Sequence, residues 1–221
     1  MTARIVIIGS GGAAREIAWL IEDINEAAGA DVYEMLGYVV TDPTRLTERD
    51  SPVLGGYDWL EAHRSDFDVL ALGIGSPAAR LKVASELNEY EFPTLIHPSV
   101  IHSRRNKFGR GVIVSAGSIV TVNVTLDDFV LVNLTCTLGH ESSVGRGTAI
   151  NPGVNVSGGV RIGAGCLIGT GSQIRQYLSI GDGATVGAGA VVVKDVPPGV
   201  TVVGVPAAPV ARKPHAMAEA S

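Results

Sequence analysis

The chain has 221 residues, which is enough for two modest domains that each bury a core. Its formal net charge of -5 at pH 7 provides no broad basic surface, which argues against a nucleic-acid partner. No apolar run approaches the ~18 residues that span a bilayer, and the N-terminal "IVII" is too short for a secretory signal. We therefore expect a cytoplasmic protein with no membrane span.

Residues 1–94 are predicted to form a small Rossmann-like α/β domain. The segment "RIVIIGSGG" is typical of a buried strand followed by a glycine turn, and the apolar residues after it recur at helical spacing. The segments "MLGYVV" and "FDVLALG" indicate further strands. The pattern predicts a small parallel sheet with ligand-binding loops at the carboxyl ends of its strands.

Residues 95–203 show a different pattern, with an apolar residue at every sixth position from Phe108 to Val192. Glycine is frequent at the turns, and three hexads make one 18-residue coil of an all-β parallel β-helix. Cys136 and Cys166 fall on inward positions and are expected to be buried thiols. Residues 204–221 are predicted as a tail. We expect the N-terminal domain to cap one end of the solenoid and trimerisation to cover one face.

The glycine turn has the pattern G-x-G-x-x-A, formed by Gly9, Gly11 and Ala14. Backbone amides at such a turn can hold an anion, and Arg80 in the loop "GIGSPAAR" could assist; a purely structural turn is the alternative. Asp42 lies 28 positions beyond Ala14, farther than a dinucleotide site requires. A nicotinamide-dependent oxidoreductase is therefore a remote alternative.

His140 is the only histidine between Ser103 and Pro214. It is the second residue after the inward Leu138, so its side chain should point outward. One coil later the chain reaches Gly158, whose amide should lie about 4.8 Å away. A base beside a backbone donor suits acyl transfer, and Glu141 could orient the imidazole or point away from it. A zinc site of the γ-carbonic anhydrase kind needs three histidines, so we predict no metal.

Several segments together resemble the bacterial NeuD/PglD-type acetyltransferases: "GSGGAARE", "LGIGS", "LIHPS", "LGHESSVG", "SGGVRIG" and "IGDGATVGAGAVVVKDVPPGVTVVGVPAAPV". These enzymes are sialic acid O-acetyltransferases and nucleotide-sugar N-acetyltransferases. The resemblance runs from about residue 4 to 212. It implies a left-handed β-helix, acetyl-CoA as co-substrate and a homotrimer with the cofactor in a groove between two subunits.

By motif, His140 corresponds to the general base of this family, Glu141 to its acidic neighbour and Gly158 to the donor that faces the acetyl carbonyl. The resemblance and the glycine loops together give the expected acceptor-binding residues: Gly9, Ser10, Gly11, Gly12, Asp42, Gly75, Arg80 and Asn133. The expected cofactor contacts are Gly158, Gly169, Thr170, Ala188 and Lys194.

The chain departs from the family pattern on the acceptor side. Ala13 and Ala149 stand where the family usually has histidine, and Val40 and Thr41 stand where it tends to have two aspartates. We expect acetyl-CoA-dependent N-acetylation of an amino-sugar, most simply a nucleotide-linked one. Two alternatives stay open, which are O-acetylation of a sugar or sialic acid and a non-catalytic binding or scaffold protein that has lost the acceptor site.

Overall fold

The computed structural model describes residues 2–40 and 52–210. Its N-terminal domain contains, in chain order, β1 (Ala3–Ile8), α1 (Gly12–Ala28), β2 (Tyr33–Val39), β3 (Val53–Gly55), α2 (Tyr57–Ala62), β4 (Val69–Leu72) and α3 (Pro77–Glu86). The four strands form one parallel sheet in the order β3-β2-β1-β4. The predicted small parallel sheet is confirmed. None of the helices in the described ranges has the length and apolar character needed to cross a membrane.

Helix α1 shows how the glycine turn prepares a binding site. Its apolar stripe, which includes Ile17, Leu20 and Ile21, is buried against the sheet. The helix ends at Gly29, which takes the left-handed conformation (φ 62°) that favours glycine. At its start, Gly11 offers no side chain to cap the first amides. The first-turn amides of α1 therefore remain available to an external acceptor.

The second domain is a triangular solenoid of short parallel strands, in agreement with the predicted left-handed β-helix. Face 1 contains β5 (Leu95–Ile96), β8 (Ile113–Val114), β11 (Leu131–Val132), β14 (Ala149–Ile150), β17 (Leu167–Ile168), β20 (Thr185–Val186), β22 (Thr201–Val203) and β23 (Ala208–Pro209). Face 2 contains β6 (Ile101–His102), β9 (Ile119–Val120), β12 (Thr137–Leu138), β15 (Asn155–Val156), β18 (Gln173–Ile174) and β21 (Val191–Val192). Face 3 contains β7 (Lys107–Phe108), β10 (Thr125–Leu126), β13 (Ser143–Val144), β16 (Arg161–Ile162) and β19 (Ser179–Ile180).

The coils stack in the register that the hexads predict. Leu131 pairs with Ala149 and Thr125 with Ser143, so neighbouring coils are offset by 18 residues. The second residue of each short strand points inward, and these side chains form one continuous apolar core. Cys136 and Cys166 belong to this core as free thiols, and burial raises the pKa of Cys136 to about 11.

The N-terminal domain packs against a side of the solenoid, whereas we expected it to cap an end. The outward residues Leu95, Ile113 and Leu131 of face 1 share a buried cluster with Ile5 and Ile17 of the N-terminal domain. Face 1 carries apolar side chains on both of its surfaces over these coils, and the outer surface must also be removed from water. Burial of this outer apolar surface explains why the N-terminal domain packs against face 1.

Residues 204–210, assigned to the tail from sequence, extend the solenoid instead. Val202 of β22 pairs with Pro209 of β23 in an antiparallel arrangement, and β22 pairs with β20 in parallel. The chain thus turns back on the last coil and covers part of an otherwise open edge.

Candidate active site

His140 lies on the corner where the chain passes from face 2 to face 3, which we call the 2–3 corner. In each coil this corner is a four-residue turn, and His140 is its second residue. Its Nδ1 is hydrogen-bonded to Oε2 of Glu141. An ionised carboxylate can only accept, so the shared hydrogen belongs to Nδ1 and Nε2 keeps its lone pair. His140 thus presents an acceptor nitrogen on a side chain that is 52% exposed.

Glu141 is held in place by its backbone and by two side chains. Its φ of 56° is left-handed, and its carboxylate accepts a hydrogen bond from the neighbouring imidazole. The hydrogen bond with His140 lowers the pKa of Glu141 below its ordinary value, and a hydrogen bond with the Asn123 side chain lowers it further. The carboxylate therefore stays ionised at neutral pH. Its negative charge lies directly beside the imidazole of His140.

Gly158 occupies the same turn position as His140, one coil later. A Cβ at Gly158 would lie 2.5 Å from both Nε2 and Cε1 of His140, so only glycine leaves room for the ring. The amide of Gly159 donates to the His140 carbonyl at 2.8 Å and joins the two turns. Among the described residues the Gly158 amide has no backbone acceptor. An unpaired donor therefore lies beside the free nitrogen of the base.

A cavity of about 420 Å³ opens in the N-terminal domain, at the carboxyl ends of β1 and β2. Gly9 and Ser10, two of the predicted binding residues, line it. Gly11 and Gly12 follow at the uncapped start of α1, and Gly75 precedes α3. No atom lies within 4 Å of a Cβ built at Gly11, Gly12 or Gly75, so packing does not require glycine there. Their amides remain accessible to an anionic ligand.

Arg80 does not belong to this cavity, which corrects the prediction that it binds a phosphate. Its side chain is fully buried, Nε donates to the Phe129 carbonyl at 3.0 Å, and Nη1 donates to the carbonyls of Leu72 (3.0 Å) and Ile74 (2.7 Å). Burial lowers the pKa of Arg80 to about 10, so the guanidinium is still charged at neutral pH. Three carbonyls satisfy most of its donors, and Arg80 joins the N-terminal domain to the solenoid.

Three polar residues of the cavity, Tyr57, Lys82 and Glu86, were missed by the sequence analysis. Lys82 lines its wall from α3, and Tyr57 lines it from α2 with a hydroxyl that has no hydrogen-bond partner in the described ranges. Burial raises the pKa of Tyr57, and Glu86 adds to the effect. Helical periodicity could have found Lys82. Ala79, Lys82, Val83 and Glu86 follow one stripe of α3, whereas Arg80 lies on another.

The proposed cofactor residues fall on two corners. Gly158 and the exposed Lys194 share the 2–3 corner with His140, whereas Gly169, Thr170 and Ala188 lie on the corner between faces 1 and 2. Gly169 has a packing reason to be glycine, because a Cβ there would lie 2.5 Å from the Ala188 amide nitrogen.

Asn133 also lies between faces 1 and 2, and its Oδ1 accepts the Leu134 amide at 2.7 Å. One chain therefore does not bring all of the predicted residues together.

The positions that depart from the family pattern are also separated in the structure. Ala13 lies in the first turn of α1, and Val40 lines the cavity. Ala149 is fully buried in an apolar cluster between face 1 and the N-terminal domain. Thr41 and Asp42 lie outside the described residues.

A second cavity, of about 450 Å³, lies along face 3 between Lys107 and Arg146 and contains none of the predicted site residues. No cluster of three metal-binding side chains occurs in the part of the chain that the structure describes.

Comparison with known proteins gives the family. The PglD N-terminal domain family matches residues 4–87. The acetyltransferase domain of PglB from Neisseria gonorrhoeae FA1090 is similar, with 31% identity, a TM-score of 0.85 and a match that covers 95% of this chain and 100% of that chain. The same domain in complex with acetyl coenzyme A gives a TM-score of 0.84.

Two further solved structures resemble the chain over nearly its whole length. PerB from Caulobacter crescentus, in complex with CoA and GDP-perosamine, is 29% identical with a TM-score of 0.84, and the match covers 96% of this chain and 99% of that one. WeeI from Acinetobacter baumannii AYE is 25% identical with a TM-score of 0.83, covering 95% and 100%. No sequence of a curated protein matches.

A β-helix of hexapeptide repeats that presents a histidine–glutamate pair beside an unpaired glycine amide defines an acyltransferase of the hexapeptide class. The chain belongs to the PglD-type sugar acetyltransferase family. It is an acetyl-CoA-dependent enzyme.

Proposed function

We propose that the protein transfers the acetyl group of acetyl-CoA to the amino group of a nucleotide-linked amino-sugar, with His140 as general base. The observation that carries the proposal is the free Nε2 of His140, which lies beside the unpaired amide of Gly158. Because acetyl-CoA is a cytoplasmic metabolite, we also propose a cytoplasmic location.

The geometry suits each step of the transfer. Nε2 of His140 accepts a proton from the acceptor amine while the amine nitrogen attacks the thioester carbonyl carbon. The carbonyl oxygen becomes negative and accepts the Gly158 amide hydrogen bond. The tetrahedral intermediate then collapses, the C–S bond breaks, and the proton passes from His140 to the CoA thiolate. Glu141 stabilises the imidazolium that exists between the two proton transfers.

The cavity in the N-terminal domain supports a nucleotide-linked acceptor. Amides at the starts of α1 and α3 can donate hydrogen bonds to a pyrophosphate, and neither helix has a side-chain cap that would compete. Lys82 adds a positive charge, and the Tyr57 hydroxyl and Glu86 can hydrogen-bond a polar ring. The similar structure of PerB from Caulobacter crescentus is a complex with GDP-perosamine and CoA, in agreement with this class of acceptor.

The position of the two sites supports a shared active site. The N-terminal domain covers face 1, and the 2–3 corner is the corner of the prism opposite that face. A face of six residues at about 3.3 Å each is roughly 15–20 Å wide, which makes the height of the triangle roughly 13–17 Å. The cavity and His140 of one chain lie at least that far apart. We propose that a closed homotrimer brings the cavity of one subunit to the 2–3 corner of the next.

The proposed chemistry is tested by incubating the protein with acetyl-CoA and matched acceptors, an amino-sugar nucleotide and its hydroxyl counterpart. We expect acceptor-dependent release of CoA with the amine only, and a product that resists hydroxylamine because it is an amide. A hydroxylamine-labile ester formed from the hydroxyl compound alone would instead support O-acetylation. Binding of acetyl-CoA with no acceptor-dependent CoA release would support a non-catalytic binding protein.

The shared site is tested with mixed trimers, formed from equal amounts of His140→Ala chains and chains whose cavity is filled by Ala79→Trp. We expect each variant alone to be inactive and the mixture to recover about one quarter of the wild-type activity, since half of the corners meet half of the cavities at random. Light scattering should give about 69 kDa, three times 22.9 kDa. An inactive mixture of trimers that contain both chains would show that each site is formed within one chain.

A further inference from the structure

Within the described ranges Tyr177 is the one residue of the 2–3 corner that is Phe, Tyr or Trp. It does not belong to the apolar core of the solenoid, so core packing does not account for an aromatic side chain there. It is the third residue of its turn, two coils after Glu141, and its side chain is 68% exposed. Its φ of 60° is left-handed, a conformation that bulky side chains rarely adopt and that costs free energy. Glu141 and Gly159 take the same conformation at this turn position, so the fold imposes it, and glycine is the residue that adopts it at least cost.

Phe129 shows what a structural aromatic residue in this conformation looks like. It has the same φ of 60°, but it is fully buried and packs edge to face against Phe92 at 5.1 Å. Arg110 and Arg146 also lie over its ring. The Tyr177 ring has no ring contact of this kind in the described part of the chain, and its left-handed backbone is not compensated by burial.

The Tyr177 ring lies close to the proposed reaction centre. It occupies the space that a Cβ at Gly159 would need, and the Tyr177 amide donates to the Gly158 carbonyl at 3.0 Å. A Cβ at Gly158 would in turn contact His140. The ring therefore forms a wall of the corner directly beyond the oxyanion donor, on the side away from the base.

The corner also has a suitable length for a pantetheine arm. His140, Gly158, Tyr177 and Lys194 lie on four successive coils, so His140 and the Lys194 ammonium are separated along the axis by about three strand spacings, or ~14 Å. An extended pantetheine arm has about a dozen bonds of roughly 1.5 Å between its thioester and its pyrophosphate, which is a similar span. Lys194 is exposed and can meet the pyrophosphate.

The acceptor reaches the reaction centre from the N-terminal coils of the solenoid, opposite to the side of Tyr177 and Lys194. In a trimer whose threefold axis runs along the solenoid, the N-terminal domain of the neighbour lies at the level of the coils that the domain covers in its own chain. These are chiefly the coils of Leu95, Ile113, Leu131 and Ala149. Leu167 packs at the edge of the same cluster, and Tyr177 lies on the coil of Leu167, at the C-terminal limit of the covered level. Toward the C-terminal end of the solenoid the cofactor remains as the occupant.

We infer that Tyr177 binds the pantetheine arm of acetyl-CoA and determines the affinity for the acyl donor. The inference rests on the proposed function. The ring packs against the amide and methylene groups of the arm, and the left-handed backbone points it into the groove. Tyr177 thus contributes to donor binding and takes no part in proton transfer.

The test compares Tyr177→Asn, which tolerates the left-handed backbone and removes the ring, with Tyr177→Phe, which keeps the ring. We expect Tyr177→Asn to raise the KM for acetyl-CoA and the Kd for CoA about tenfold, as for loss of an aromatic contact at a binding site. The kcat and the acceptor KM should stay within about threefold, and Tyr177→Phe should resemble wild type. The effect should persist with acetyl-pantetheine, which lacks the nucleotide.

Three results would overturn the inference: unchanged CoA affinity in Tyr177→Asn, a raised KM for the acceptor alone, or an effect that disappears with acetyl-pantetheine. Failure of wild type to bind CoA would contradict the proposed function instead, so the two failures are distinguishable. Thermal unfolding of both variants checks that the solenoid is intact.

Discussion

Replacement of His140 by alanine is expected to lower kcat at least 100-fold while the Kd for CoA changes less than about twofold. Without the imidazole the adjacent base is the Glu141 carboxylate, which lies on the Nδ1 side of the ring and is a weak base because its pKa is lowered, so the acetyl group stays on CoA. The affinity for CoA should remain because the Gly158 amide and the rest of the groove are unaltered. Steady-state kinetics with the accepted sugar and calorimetric titration with CoA measure the two quantities. Near-wild-type turnover would remove His140 from the mechanism.

Glu141→Gln provides the graded control for His140→Ala. The amide keeps a hydrogen-bond acceptor for Nδ1 but removes the charge that stabilises the imidazolium, so we expect a loss in kcat of about tenfold. In the wild type the pKa of Glu141 is depressed, which means that the charge is present above the ordinary glutamate range and is lost only as the pH falls through the lower value. Activity near neutral pH should therefore not depend on titration of Glu141.

Replacement of Arg80 by methionine is expected to destabilise the N-terminal domain by about 3 kcal/mol or more. Methionine fills much of the space, but the carbonyls of Leu72, Ile74 and Phe129 lose their donor in a buried setting. By calorimetry the unfolding transition of this domain should fall by roughly 12–24 °C. The solenoid transition should move less, because only Phe129 belongs to it.

Lys82→Met is the matched control for Arg80→Met, since both substitutions remove one positive charge from α3. Lys82 is 74% exposed and its ion pair with Glu86, at 3.7 Å, lies on the surface. We expect the Tm of the Lys82→Met variant to stay within about 2 °C of wild type. Equal shifts for the two variants would mean that the buried hydrogen bonds of Arg80 contribute no more than an exposed charge.

The solenoid could be predicted in detail because its physical rule is local and repetitive. Every sixth residue must be apolar to fill the prism, and the turns need glycine. The inward positions of Val144, Ile150 and Val156 can therefore be predicted from local spacing alone. The same periodicity places His140 on an outward corner and Gly158 one coil later. The sequence therefore predicts their proximity as well as the fold.

The contacts of Arg80 could not be predicted in this way. A positive charge beside a glycine loop resembles a phosphate site. Nothing near Arg80 in sequence shows that its Nε donates a hydrogen bond to the Phe129 carbonyl, 49 residues away. The buried position of Ala149 likewise depends on how α1 packs on face 1. Such features depend on how the α/β domain packs against the β-helix. The periodicity within each domain carries no information about this packing.

The uninterrupted 18-residue register also determines how the enzyme can diverge. A single-residue insertion within the coils would rotate every later corner out of alignment and expose inward side chains, whereas duplication of a whole coil preserves the prism. Distances along the 2–3 corner can therefore change only in steps of about 4.8 Å. A coil added after Tyr177 would move Lys194 away from His140 by one step and leave the base, Gly158 and the neighbouring cavity unmoved. Lengthening by whole coils therefore gives a route to acyl donors with longer carrier arms, without redesign of the reaction centre.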